Sequence, residues 1–396
     1  MTQHPASTTR ARRRVRVGIS TCPNDTFAFH GLLTGAVEAP GLDLEFELRD
    51  VQELNEGVLA GRYDIAKVSF HLALQRADEL LVLPSGSALG FGNGPLLLAS
   101  PAEGASSRTG AGHAGGARPG PTSRVLCPGE HTTAALLYRI FHPRAAAPRH
   151  VVFSEIMPAL ERGDADFGVC IHEGRFTYAA RGLVCVEDLG EVWARATHAP
   201  LPLGGIVARR AVGEDVARRL QAGLRASLAH ARQDPQGALA TMREHAAELD
   251  DDVLWQHVEL YVNPWTLALG DEGRRALAAL SERAHAPNLE VLPPPREPIV
   301  HLVDGSAFAA HDWTQPWAPP SLATEGFVHL SFASQVQGTL AAHFQGATDV
   351  RVLELSSEHI NDALVLEPSR GGAHFPHLYR ALEPRDVLAT RRDSGI

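Results

Sequence analysis

The chain has 396 residues, 44% of them hydrophobic, and a formal net charge of -10 with its histidines neutral. That length exceeds one ordinary core, so two or three globular domains are expected and a disordered chain is excluded. The acidic balance argues against a sequence-independent grip on nucleic-acid phosphates, which needs a basic footprint, and leaves a small-molecule or protein partner.

The N-terminal "MTQHPASTTRARRRVRVGIS" is basic but lacks the apolar run and small-residue cleavage site of a secretory signal. No segment approaches the ~20 apolar residues that span a bilayer. A cytoplasmic protein without membrane insertion is expected. "VRVGIS" (15–20), "LDLEFEL" (42–48) and "YDIAKVS" (63–69) read as strands and alternate with helical "TFAFHGLL", "VQELNEGVLAGR" and "FHLALQRA". This alternation predicts an α/β lobe with substantial parallel pairing. In "STCPNDTFAFHGLL" a tight turn carries Pro23, Asn24, Asp25 and Thr26 from strand to helix. Asn24 or Asp25 can cap the helix there, or the turn can face the ligand crevice at the strand's carboxyl end; both readings stand.

Of the 36 basic residues counted as Lys and Arg, only Lys67 is a lysine. In so arginine-rich a chain, a single lysine points to a tight polar pocket that rejects the larger guanidinium, against the alternative of a chance surface residue. The pleat of "AKVS" sets Lys67 and Ser69 on one face and Val68 on the other. "SGSALGFGNGPLLLAS" (85–100) is glycine-rich without matching the dinucleotide fingerprint, and reads as a crossing strand or hinge. Residues 101–123 read as a flexible insertion.

A second lobe follows at about 124–205, with strands "RVLC", "HVVF" and "DFGVCI" and helices "HTTAALLYRIF" and "SEIMPALERG". In "PGEHTTAALL", Thr132 and Thr133 stand at a helix start, where free N–H groups would hold a carboxylate or phosphate; ordinary capping is the alternative. His172 closes the apolar run of "DFGVCIHEGRFTY". The metalloprotease spacing fails because Phe176 stands where a second histidine would. Histidine's ordinary pKa near neutrality suits a general base at a cleft, and a structural histidine is the other reading. The four cysteines, Cys22, Cys127, Cys170 and Cys185, are widely spaced and form no C-x-x-C pair. Reduced, buried thiols are expected, with no disulfide framework and no metal site.

Residues 213–287 read as helices returning to the first lobe, and the proline-rich 288–297 as a linker, because three consecutive prolines cannot continue a helix. Beyond it "IVHLV", "EGFVHLS", "VRVLELS" and "DALVLE" predict a separate small α+β domain over 298–396, with a helix in "FASQVQGTLAAHF".

Taken in order over residues 15–287, "STCPNDTFAFH", "DIAKVS", "GSALGFGNGPLL", "PGEHTTA", "SEIMPAL", "GVCIHEGRFTY", "DLGEVW" and "LPLGGI" resemble the 1,4-dihydroxy-6-naphthoate synthases of the futalosine route to menaquinone. The resemblance implies a two-lobed periplasmic-binding-protein-like fold. It also implies a cofactor-free lyase step that converts cyclic dehypoxanthinyl futalosine, a small-molecule carboxylate, to 1,4-dihydroxy-6-naphthoate. It maps substrate binding onto Lys67, Val68, Ser69, Thr132 and Thr133, and the proton acceptor onto His172. Beside His172 in the motif, Glu173 and Arg175 are candidates to orient the ring or neighbour the substrate. The insertion at 101–123 and Glu130 depart from the family pattern. The rival classes are a cytoplasmic sensor or solute-binding protein of the same fold, and the related chorismate-processing enzyme of the pathway. The C-terminal domain resembles a small uncharacterised bacterial family through "PIVHLV", "PSLATEGFVHLS" and "FPHLYRAL"; His301, His329, Ser331, His377 and Tyr379 are its candidate pocket.

Overall fold

The computed structural model describes residues 12–100, 118–172, 174–246, 250–361, 363–369 and 373–393. The expected insertion falls outside them up to residue 117, as does Glu173. The chain divides into two compact units, one comprising residues up to Val212 together with Ala226–Val291, the other Gly213–Arg225 together with residues from Leu292 onward.

The first unit holds two mixed sheets. One contains β1 (Arg13–Ser20), β2 (Leu42–Arg49), β3 (Ile65–Ser69), β4 (Leu80–Val82), β5 (Ala88–Gly90) and β11 (Leu201–Arg209), in the order β2-β1-β3-β11-β4 with β5 also on β11. The alternating Val15, Val17 and Ile19 of β1 are all buried, and β1 runs parallel to β2 and β3 as the strand-helix alternation predicts. β11 is antiparallel to β3, β4 and β5, so the sheet is less parallel than expected. The other sheet contains β6 (Leu96–Ala99), β7 (Val125–Pro128), β8 (Arg149–Val151), β9 (Phe167–Cys170) and β10 (Val184–Asp188), ordered β10-β6-β9-β7-β8.

The glycine-rich stretch is the crossing: β5 ends at Gly90 in the first sheet and β6 starts at Leu96 in the second. The chain returns through β11, so the second lobe ends before Leu201 rather than at 205 and takes in β6. The physical reason is that "LPLGGIVAR" lies between β3 and β4 and pairs with both.

In the second unit β12 (Ile299–Asp304), β14 (Ser331–Phe332), β15 (Val350–Leu355) and β18 (Val387–Asp393) form an antiparallel sheet, and β13 (Val328–His329), β16 (Leu364–Pro368) and β17 (His374–Leu378) a second one. Ile299, Val303, Leu353, Leu364 and Leu378 share its core. The boundary differs from the expectation in one respect: Gly213–Arg225, with the start of the helix Glu214–Gln233, belongs here. The cause is polar. The buried Arg218 donates to Asn361 Oδ1 and to the Pro293 carbonyl, and Gln221 donates to the Asn361 carbonyl at 3.1 Å. Among the described residues no helix is long and apolar enough to cross a membrane.

Candidate active site

The ends of β1 and β3, parts of β5 and β11, the turn after β9 and five helix segments surround a cleft of about 730 Å³, counted with its open mouth. Asn24, Asp25, Lys67, Val68, Ser69, Thr132, Thr133, His172 and Arg175 all line it. Strand pairing explains part of this convergence. Ser69 at the end of β3 faces Gly204 of β11, where a Cβ would sit 2.6 Å from the Val68 carbonyl oxygen and 3.5 Å from Lys67 Cε. A glycine there lets the two backbones close beside the lysine.

Lys67 is buried, so the surface reading does not hold for it. Its Nζ lies 2.5 Å from Asp25 Oδ1 and donates to the Gly86 carbonyl at 3.3 Å. Burial pushes the Asp25 carboxyl up, while the Lys67 ammonium opposes that shift. The capping reading of Asn24 and Asp25 gives way as well. Cys22 is the N-cap of the helix Pro23–Thr34, Asp25 turns to Lys67, and Asn24 Nδ2 donates to Asp25 Oδ1 at 3.0 Å. Ser69 is held by Asn55, which accepts from its backbone N–H and donates to its hydroxyl.

Thr132 caps the helix Thr133–Phe141, accepting from the Ala135 N–H and donating to the Gly129 carbonyl. Thr133 donates to the Leu203 carbonyl at 2.7 Å and accepts from the His71 N–H. Both hydroxyls therefore have protein partners, as do the Ala135 and Leu136 N–H groups, which Thr132 accepts.

His172 has φ of 54°, in the left-handed region a non-glycine residue rarely adopts. Just past the end of β9 the chain thus turns sharply at this residue. The ring rests edge-on against Phe153 at 5.0 Å, and its Nδ1 lies 3.0 Å from Cys22 Sγ. Arg175, a candidate to orient this ring, is committed elsewhere: it pairs with Asp188 at 2.6 Å and donates to the Gly94 carbonyl at 2.9 Å.

Two residues of the cleft carry no local signal in the sequence. Cys22, expected as a buried thiol, is partly exposed, as is Cys185, whereas Cys127 and Cys170 are buried. His257, on the helix Asp251–Tyr261, lines the cleft with Tyr261 and lies 6.4 Å from His172 between ring centroids. Burial first, then His172 and Lys67, push its pKa down to about 3.

The second unit has its own cavity of about 1170 Å³ with its open mouth, lined in part by His301, His329, Ser331 and His377. His301 has both nitrogens occupied, Nδ1 by the His329 carbonyl and Nε2 by the Trp317 indole N–H, and burial lowers its pKa to about 4. Ser331 shares a hydrogen bond with Thr339, and His329 Nε2 lies 3.1 Å from Glu325. His377 Nδ1 meets Glu367 Oε2 at 2.9 Å, and Tyr379 donates to the same oxygen at 2.8 Å. Phe327 stacks on the His377 ring at 4.1 Å.

Fold and cleft define the class: a two-lobed α/β protein of the periplasmic-binding-protein type, with a separate small β-rich domain. Residues 15–286 match the family described as menaquinone biosynthesis, and the chain belongs to that family. It is 43% identical over 287 residues to the 1,4-dihydroxy-6-naphthoate synthase of Thermus thermophilus, covering 71% of this chain and 97% of that one. It is 40% identical over 281 residues to the protein of that name from Streptomyces coelicolor, covering 69% and 94%. Among solved structures, protein AF1704 from Archaeoglobus fulgidus superposes with a TM-score of 0.62 at 28% identity, covering 69% of this chain and 97% of that one. The zinc-bound ligand-binding component of an ABC-type import system from Staphylococcus aureus superposes at 0.50 with 14% identity, covering 71% and 96%, a likeness of fold alone. Residues 304–390 match a family of unknown function, DUF952.

Proposed function

We propose that the first unit is a lyase of menaquinone biosynthesis converting cyclic dehypoxanthinyl futalosine to 1,4-dihydroxy-6-naphthoate, with His172 as the general base. Membership of the family supports the reaction. The observation that carries the role of His172 is its setting: an imidazole at a strand end, facing the cleft, with a sulfur 3.0 Å from Nδ1. When Nδ1 carries the hydrogen and directs it at Cys22, the Nε2 lone pair is left to take a proton from the substrate. The substrate carboxylate docks at the first turn of the helix Thr133–Phe141, whose free N–H groups and positive end favour an anion. The Lys67 and Asp25 pair forms a fixed polar wall, positioned before substrate arrives, so little reorganisation accompanies the reaction.

The test is incubation of the pure protein with cyclic dehypoxanthinyl futalosine and detection of dihydroxynaphthoate by mass. His172→Asn suits the second arm because asparagine tolerates a positive φ. Its kcat should fall by about 10²- to 10⁴-fold with the fold retained. Near-normal turnover by that variant would return His172 to a structural role, and tight binding without turnover by the wild type would favour a solute-binding protein.

A further inference from the structure

His257 is buried to about 2% exposure, yet neither Nδ1 nor Nε2 has a hydrogen-bond partner among the described residues. Its neighbours are rings: Tyr261 at 4.8 Å, Phe176 at 6.3 Å and His172 at 6.4 Å between centroids. Such contacts satisfy the faces of an imidazole and leave its edge unmet. A fold seldom leaves two buried polar atoms unpaired, because each lost its hydrogen bonds to water on folding. These two belong to a residue that lines the cleft holding His172.

We propose that His257 is a substrate-contacting residue of this cleft, hydrogen-bonding a hydroxyl or carbonyl oxygen of the molecule from which His172 takes its proton. The assignment rests on the lyase reading above and names a contact that reading lacks. At neutral pH the ring is uncharged, since burial and the nearby His172 and Lys67 hold its pKa near 3. A neutral imidazole offers one N–H donor and one lone pair. That pair of functions complements a hydroxyl, which donates and accepts, and its donor alone serves a carbonyl. A carboxylate, which only accepts, is met better at the helix start beside Thr133. His257 and His172 thus divide the work, one ring staying neutral as it holds the substrate and the other changing protonation. With its edge unmet by the protein, the ring is a local cost to the fold, of the kind active sites carry elsewhere.

The experiment uses the full chain, with His257→Phe and His257→Gln compared to wild type in steady-state kinetics and, without substrate, in thermal unfolding. Removing a hydrogen bond to a buried partner should lower kcat/KM of His257→Phe by about 10- to 100-fold. His257→Gln, whose amide keeps a donor and an acceptor, should recover most of it. The Tm of ligand-free His257→Phe should equal or exceed that of wild type, because two unpaired buried atoms are removed. Wild-type kcat/KM in folded His257→Phe overturns the assignment. So does an equal loss in both variants that follows a lowered Tm, the signature of a packing role. Wild-type protein that neither binds nor converts the substrate overturns the lyase reading itself.

Discussion

Lys67 and Asp25 are each about 5% exposed or less, and their ion pair is the most deeply buried in the cleft. Two charges that far from water are held by each other, so removing one strands its partner. Lys67→Met should therefore destabilise the first unit by about 3–5 kcal/mol, read as a shift in the urea midpoint, and adding Asp25→Leu should restore much of that loss. Lys67→Arg keeps the charge but forces a planar fork into a space made by Gly204, so it should impair kcat/KM more than it lowers Tm. Cys22 poses a milder test. Its sulfur meets the His172 ring without a charge of its own to contribute, and Cys22→Ala should reduce kcat by about 10-fold or less with circular dichroism unchanged. A fully inactive, folded Cys22→Ala protein would mean that the thiol does more than hold the ring.

At the scale of strands and helices, what the sequence reveals depends on how local the cause is. Apolar alternation is local, and β1, β2 and the "IAKVS" of β3 stand within two residues of their expected positions. Helix starts are legible for the same reason: Thr132 caps its own helix, and Asp50 and Glu53 form a reciprocal capping box. "HFPHL" contains a proline and "VLATRRD" is largely polar, so neither β17 nor β18 carries a strand pattern; their partners, β13 and β16 for β17 and β15 for β18, make them strands. The site shows the same limit. His172, Lys67 and the two threonines stand at element ends that a motif marks, whereas Cys22 meets His172 across 150 residues of chain. His257 is likewise distant, and a lone histidine in a helix carries no pattern. β11 marks where local reading fails and topology takes over: its glycine pair makes sense only beside β3. Gly204→Ala should cost about 1–3 kcal/mol, since its new Cβ would press on a backbone oxygen that cannot swing aside. Chemical denaturation checks the value, and an unchanged midpoint would show that β11 shifts freely.

For the molecule as a whole, the two units respond to acid through different buried histidines. His71 and His257 belong to the first unit, with pKa values lowered to about 4 and about 3, and His301 to the second, lowered to about 4. Burial is the leading cause in each. In an unfolded chain these rings titrate near 6.5. Between that value and the folded one the unfolded state binds the proton and the native state does not, so stability rises with pH across the window. The contribution is complete above about pH 6.5 and is lost as pH falls toward 4 and 3, at up to about 1.4 kcal/mol per pH unit for each ring. Asp25 and Asp188 slope the other way: burial raises their carboxyls, so stability falls as pH rises above the ordinary carboxylate value. A difference curve cancels them. Urea midpoints of wild type and His257→Phe, taken from pH 7.5 to 4.5, should diverge as the pH drops, wild type losing more stability than the variant. Parallel curves would mean that His257 titrates in the fold much as it does in the unfolded chain, against the downward shift that burial gives it.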